Sequence, residues 1–169
     1  MINSFLALSE NKKRVLHIYS GGGEYEAFKK SADKYNGKIV CHDYVPHDEL
    51  VRLMGNSDVL VSMKSTNQIS AKIFEYMSLD IPIIHFSGIQ GDVNTEYLKQ
   101  YDKAVIVETF GDKPNLTPDE IANKLERAIN LPKSDKKVSE IFAMNTPEYT
   151  AELITKCLIL SAPEGRRDI

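Results

Sequence analysis

The sequence predicts a parallel α/β fold, a Rossmann-like doubly wound sheet of about five strands followed by a helical C-terminal third. Short apolar runs rich in β-branched residues recur from Val15 to Glu108. Stretches with the apolar spacing of amphipathic helices separate these runs. The connections are too long for hairpins and long enough for crossover helices, so consecutive strands are expected to be parallel.

The elements follow from the same patterns, taken in chain order. Helical spacing predicts helices around Tyr25 to Tyr35, Leu50 to Met54 and Ile73 to Met77. Thr117 followed by Pro118 predicts a further helix start, and two more helices are expected from Ser134 and Thr146. The candidate strands, expected to be buried on both faces, are Val15–Ser20, Lys38–Tyr44, Asp58–Met63, Ile81–Phe86 and Ala104–Glu108.

Composition excludes several classes of protein. The formal net charge is -3 and the basic residues are scattered, so a nucleic-acid partner is not expected. Cys41 and Cys157 are the only cysteines and lack metal-ligand spacing, so neither a disulfide scaffold nor a structural zinc site is expected, and a cytoplasmic location is favoured. No apolar run is long enough to cross a membrane. We expect one domain over residues 1–160 and a flexible tail over 161–169.

A glycine run is the first candidate binding element. Gly21, Gly22 and Gly23 stand where the first strand ends and a helix begins. Glycines allow close approach of the backbone to a ligand, and a helix N-terminus offers N–H groups to an anion. A tight turn explains the run equally well, and the pattern is not that of a dinucleotide site.

Two further segments follow the second and third strands. Tyr44 and Val45 precede a turn enforced by Pro46, and such a loop can present its backbone to a planar base or be an ordinary connection. The polar loop from Lys64 leads into a helix capped near Ser70, which suits a diphosphate. Lys72 and Glu75 share one face of that helix, and their spacing alone favours a surface ion pair.

The run from Ser70 to Phe86 resembles the helix-plus-strand signature of bacterial glycosyltransferases with the GT-B fold, of the group that builds capsular and other surface polysaccharides. The order and spacing of Gly21–Gly23, Tyr44–Pro46, Glu49–Leu50 and Asp58–Ser62 are similar to the same family. The resemblance covers roughly residues 14 to 110 and extends to the last helices.

The resemblance implies a lobe that binds a nucleoside-diphosphate sugar, with uracil as the preferred base. Glu75 would accept hydrogen bonds from the ribose hydroxyls, and a carboxylate suits a vicinal diol because it accepts two hydrogen bonds in a fork. The base would lie against Tyr44 and Val45. The amides of Ser70, Ala71 and Lys72 would face the diphosphate, and Gly21–Gly23 would line the floor of the cleft. No cofactor and no metal is implied.

Two departures from the family pattern limit what the resemblance implies. Many retaining relatives have a glutamate eight residues before the ribose-binding one, where this chain has Asn67. An amide can contact the sugar but cannot act as a carboxylate. Relatives also begin this lobe with another strand, whereas Met1 to Lys13 is typical of the helix that follows it. The chain is therefore expected to start late, and a homodimer formed by exchange of this N-terminal segment is one consequence.

The function that the resemblance implies is sugar transfer to a polysaccharide or glycolipid acceptor. The acceptor-binding N-terminal lobe has no counterpart in these residues, so we expect the chain to bind the donor without transferring sugar efficiently alone. The catalytic residues are unknown, and the missing lobe could bring the enzyme to the inner face of the membrane. The alternatives are a GT-B-fold sugar-nucleotide epimerase and a truncated, non-catalytic α/β binding module.

Overall fold

The structure is a computed structural model that describes residues 6, 14–20, 23–64, 67–110, 114–132, 148, 151, 152, 154 and 155. The chain divides into two compact units, Met1–Pro132 and Lys133–Ile169. The described residues of the second unit are all helical. The first unit holds every strand that the structure describes.

Five strands alternate with helices in the first unit, in accordance with the predicted fold class. Every described strand pair is parallel. The ladders divide into a two-stranded sheet, β1-β2, and a three-stranded sheet, β3-β4-β5. Within the described residues no ladder joins the two, so the five strands do not form one continuous ladder. The strands are β1 (Leu16–Tyr19), β2 (Ile39–His42), β3 (Leu60–Lys64), β4 (Ile83–Ser87) and β5 (Ala104–Glu108).

Except for the short helix before β5, the described helices of the first unit lie where the sequence predicted them. Thr117 caps the last described long helix through a capping box with Glu120, as its sequence Thr-Pro-Asp-Glu predicts. None of the described helices is long and apolar enough to cross a membrane. The helices are α1 (Gly23–Ser31), a 3-10 turn (Ala32–Tyr35), α2 (His47–Gly55), α3 (Ala71–Ser78), α4 (Val93–Leu98) and α5 (Pro118–Ile129).

Apolar clusters cover both faces of the three-stranded sheet. On one face, Ile84 and Phe86 of β4 and two valines of β5 pack against Ile121, Leu125 and Ala128 of α5. A second cluster joins Met54 of α2 to Leu60 of β3 and Ile81. The central strand β4 is buried at every position because it is paired at both edges and covered on both faces.

The structure also differs from the sequence-based expectations. From the sequence, the segment from Gly88 to Tyr97 could cover the sugar or be an ordinary surface connection. It holds all but the last residue of α4, a helix that the sequence did not predict, and the N-cap Asp92 accepts a hydrogen bond from the backbone N–H of Asn94. The N-terminal segment Met1–Lys13, apart from Leu6, lies outside the described residues, as does the tail 161–169. The helix expected from Ser134 also lies outside them, and that from Thr146 is described only at residues 148, 151, 152, 154 and 155.

Candidate functional site

The segments that the sequence singled out follow the carboxyl ends of their strands. Because the strands of each sheet are parallel, the loops after β1 and β2 share one edge, and those after β3, β4 and β5 share another. In open α/β sheets these edges are where ligands bind. The candidate site is therefore built from the loop between β2 and α2, the start of α3, and the loop between β4 and α4.

The loop after β2 presents an exposed aromatic ring. Tyr44 is 79% exposed, and the neighbouring Val45 is half-buried. Pro46 then stands at the N-cap of α2, with a backbone conformation (φ -55°, ψ 150°) that proline favours and that turns the chain into the helix. The ring of Tyr44 is thus available for stacking on a planar group such as a base.

Glu75 meets this loop through a contact that the sequence did not predict. Its Oε1 lies 2.7 Å from Nε2 of His47, the first residue of α2. The Glu75 side chain is 29% exposed and that of His47 is 68% exposed. The carboxylate therefore stands at the surface, beside the loop that carries Tyr44.

The ion pair that helical spacing suggested for Glu75 is absent from the described residues. Glu75 pairs with His47, and no contact joins it to Lys72, which is exposed at the second position of α3. His47, which the sequence left without a role, is one residue that sequence reasoning missed. Its only signal was its place at a helix start directly after the Tyr44 loop.

The start of α3 lies at the carboxyl edge of the three-stranded sheet. Ser70 is the N-cap residue, as predicted, but its hydroxyl makes no capping hydrogen bond. The Ser70 N–H instead donates to Oδ1 of Asn94 at 2.7 Å. The amides of Ala71 and Lys72 belong to the first turn, where helical N–H groups have no acceptor within the helix. Asn67 is exposed three residues before this start.

A buried polar network lies behind the start of α3. His85 on β4 places Nε2 2.8 Å from Oδ2 of Asp92 and Nδ1 3.0 Å from the hydroxyl of Ser62. Asp92 in turn accepts hydrogen bonds from the backbone and the side chain of Asn94. Burial disfavours the charged form of Asp92, but the hydrogen bonds from Asn94 and His85 outweigh it and lower the pKa of this carboxyl.

The glycine segment is described only in part. Gly21 and Gly22 lie outside the described residues, and Gly23 is the first residue of α1. Tyr25 of α1 is buried, with its hydroxyl within hydrogen-bonding distance of the carbonyl oxygens of Ile18 and His42. Burial raises the pKa of Tyr25. This contact fixes α1 against the carboxyl ends of β1 and β2.

Comparison with known proteins shows that the sequence matches one family model and that the fold is similar to those of solved structures. The sequence matches the model of the family described as glycosyl transferases group 1 over residues 1–142. A search of curated proteins found no match.

Two solved structures share the fold at low sequence identity. One is WaaG, a glycosyltransferase involved in lipopolysaccharide biosynthesis, with a TM-score of 0.58 and 11% identity, covering 95% of this chain and 42% of that one. The other is AviGT4, a glycosyltransferase involved in avilamycin A biosynthesis, with a TM-score of 0.59 and 17% identity, covering 89% of this chain and 44% of that one. The chain thus spans less than half the length of either structure.

Proposed function

The chain belongs to the family of group 1 glycosyl transferases, and we propose that it forms the lobe that binds the donor, a nucleoside-diphosphate sugar. In this proposal the whole enzyme transfers the sugar to a polysaccharide or glycolipid acceptor, and uridine is the preferred nucleoside. The family match and the two glycosyltransferases of the same fold favour sugar transfer over epimerisation.

The observation that carries the proposal is the contact between Glu75 and His47, the residue that directly follows the loop after β2. Glu75 and His47 are far apart in the sequence, yet their side chains lie 2.7 Å apart. The loop proposed to hold the base and the carboxylate proposed to hold the ribose are therefore neighbours, as one nucleoside requires. The carboxylate accepts hydrogen bonds from the two ribose hydroxyls, and the base stacks on Tyr44.

The diphosphate is assigned to the start of α3. The amides of Ala71 and Lys72 donate to its oxygens, and the helix dipole and the Lys72 ammonium add positive potential. The Ser70 amide, which already donates to Asn94, is left out of this set. When the bond between the sugar and the diphosphate breaks, negative charge develops on the leaving diphosphate. These groups stabilise that charge without any metal. Asn67 is assigned to the sugar, because it is exposed and lies three residues before the start of α3.

Titration of uridine diphosphate and its sugars into the protein tests the proposal. Glu75→Ala should weaken binding by about tenfold or more, because a hydrogen bond to a charged group contributes about 1.5–3 kcal/mol. Glu96→Ala is a matched control, since Glu96 is an exposed carboxylate on α4 paired with Lys99. The proposal is abandoned if no nucleoside diphosphate binds at millimolar concentration, or if Glu75→Ala binds as well as the control.

A further inference from the structure

Four polar side chains form a continuous hydrogen-bonded chain from the middle of the three-stranded sheet to the start of α3. Ser62 of β3 contacts His85 of β4 at 3.0 Å, and His85 contacts Asp92 at 2.8 Å. Asp92 accepts from the Asn94 backbone at 2.9 Å and from its side chain at 2.7 Å. His85, Asp92 and Asn94 are buried, so this series of hydrogen bonds runs through the interior of the protein.

The hydrogen bonds of Asp92 have a defined direction. A carboxylate only accepts hydrogen bonds, so His85 must carry a proton on Nε2, and Asn94 must point its amide nitrogen at Asp92. This orientation turns Oδ1 of Asn94 away from Asp92. The ionised state of Asp92 therefore fixes which way the Asn94 amide faces.

The outer end of the chain holds the segment that leads into α3. Oδ1 of Asn94 accepts from the Ser70 N–H at 2.7 Å, and its Nδ2 donates to the Gln68 carbonyl at 3.0 Å. The Asn94 side chain thus binds two backbone groups, the N–H of Ser70 and the carbonyl of Gln68, which lie two residues apart in the sequence. The Ser70 hydroxyl does not cap the helix, so Asn94 is the side chain that holds the backbone just before α3.

Two other interpretations of these hydrogen-bonded residues are less satisfactory. The order Ser62, His85, Asp92 is that of a nucleophilic triad, but the His85 side chain has no exposure and cannot reach a substrate. A purely stabilising role does not require a buried His–Asp pair, because apolar residues of similar volume often stabilise an interior as well as a buried charged pair. The triad interpretation also leaves unexplained why the hydrogen bonds end on the backbone of Gln68 and Ser70.

We propose that Asn94, oriented by Asp92 and His85, is a positioning residue for the donor diphosphate. It contacts no ligand itself. It holds Gln68 to Ser70 so that the amides of Ala71 and Lys72 point at the phosphates, whereas Glu75 grips the ribose. This inference rests on the proposed function, and it separates the determinants of diphosphate binding from those of nucleoside binding.

The test compares the affinities of uridine diphosphate and uridine. Asn94→Ala should lower the affinity for uridine diphosphate by about tenfold, the loss expected for one hydrogen bond to a charged group, and leave that for uridine unchanged. Glu75→Ala should weaken both ligands. Tyr101→Phe is the control for general destabilisation, because it removes a buried hydrogen bond to the Ile81 carbonyl away from the site.

A second variant acts from the loop side if Asn94→Ala does not fold. Ser70→Pro removes the N–H that donates to Oδ1 of Asn94 while keeping every side chain of the buried network, and it should produce the same selective loss. The inference is overturned if the ratio of the two affinities is unchanged in both variants, or if Tyr101→Phe lowers the ratio equally. If uridine diphosphate does not bind to the unaltered protein, or if Glu75→Ala weakens neither ligand, the proposed function fails as well.

Discussion

Replacement of Asp92 by alanine should remove about 3–5 kcal/mol from the free energy of unfolding. The Asp92 carboxylate is fully buried and accepts three hydrogen bonds. The donors are the backbone N–H of Asn94, the side-chain Nδ2 of Asn94 and Nε2 of His85. Its loss leaves three buried donors without an acceptor, and each such donor costs about 1–3 kcal/mol. The costs are not additive, because the cavity left by the side chain can admit water. The expected loss is large against the roughly 5–15 kcal/mol of a typical domain.

Urea unfolding followed by circular dichroism measures this loss. Asp92→Asn keeps an acceptor for the Asn94 amide and should cost less than Asp92→Ala. Asp102→Ala replaces an exposed aspartate and should change the stability by no more than about 0.5 kcal/mol. A loss below about 1 kcal/mol for Asp92→Ala would contradict the hydrogen bonding described here, because even one unsatisfied buried donor costs that much.

The same network and the Glu75 contact make two further predictions. The folded-state pKa of Asp92 lies below its unfolded value, so its stabilising contribution is full above the unfolded pKa and is lost as the pH falls through the folded pKa. Acid titration of the unfolding free energy should therefore show a shallower decline in Asp92→Asn than in the unaltered protein, and identical slopes would refute the assignment. His47→Ala should raise the affinity for uridine diphosphate by up to about fivefold, because ribose must displace His47 from Glu75 and an exposed pair contributes at most about 1 kcal/mol. Calorimetric titration checks this, and weaker binding would make His47 a ligand contact.

Local signals in the sequence were sufficient for most of the elements. The strand Ala104–Glu108 has the predicted bounds, and the α5 start follows from Thr117, whose cap is entirely local. Other strand bounds shift by one or two residues, because pairing and not propensity decides where a ladder ends. The six-residue helix α4 was missed because it is too short to show an apolar period.

The contacts that define the candidate site could not be derived from the sequence. Ser62 meets His85 only because the β3-β4 register places them side by side. Asn94 reaches Ser70 because α4 and α3 begin at the same edge of the sheet. Helical spacing paired Glu75 with Lys72, whereas the partner of Glu75 comes from another helix. Such contacts depend on the packing of distant segments, on which local patterns carry no information.

The contact between Glu75 and ribose is the central claim, and a double-mutant cycle between protein and ligand tests it most directly. The four dissociation constants are those of uridine diphosphate and 2′-deoxyuridine diphosphate for the unaltered protein and for Glu75→Ala. The unaltered protein should prefer the ribonucleotide by about tenfold, the value of one hydrogen bond to a carboxylate, and Glu75→Ala should show no preference. Equal affinities in the unaltered protein, or a preference that survives in Glu75→Ala, would contradict the claim.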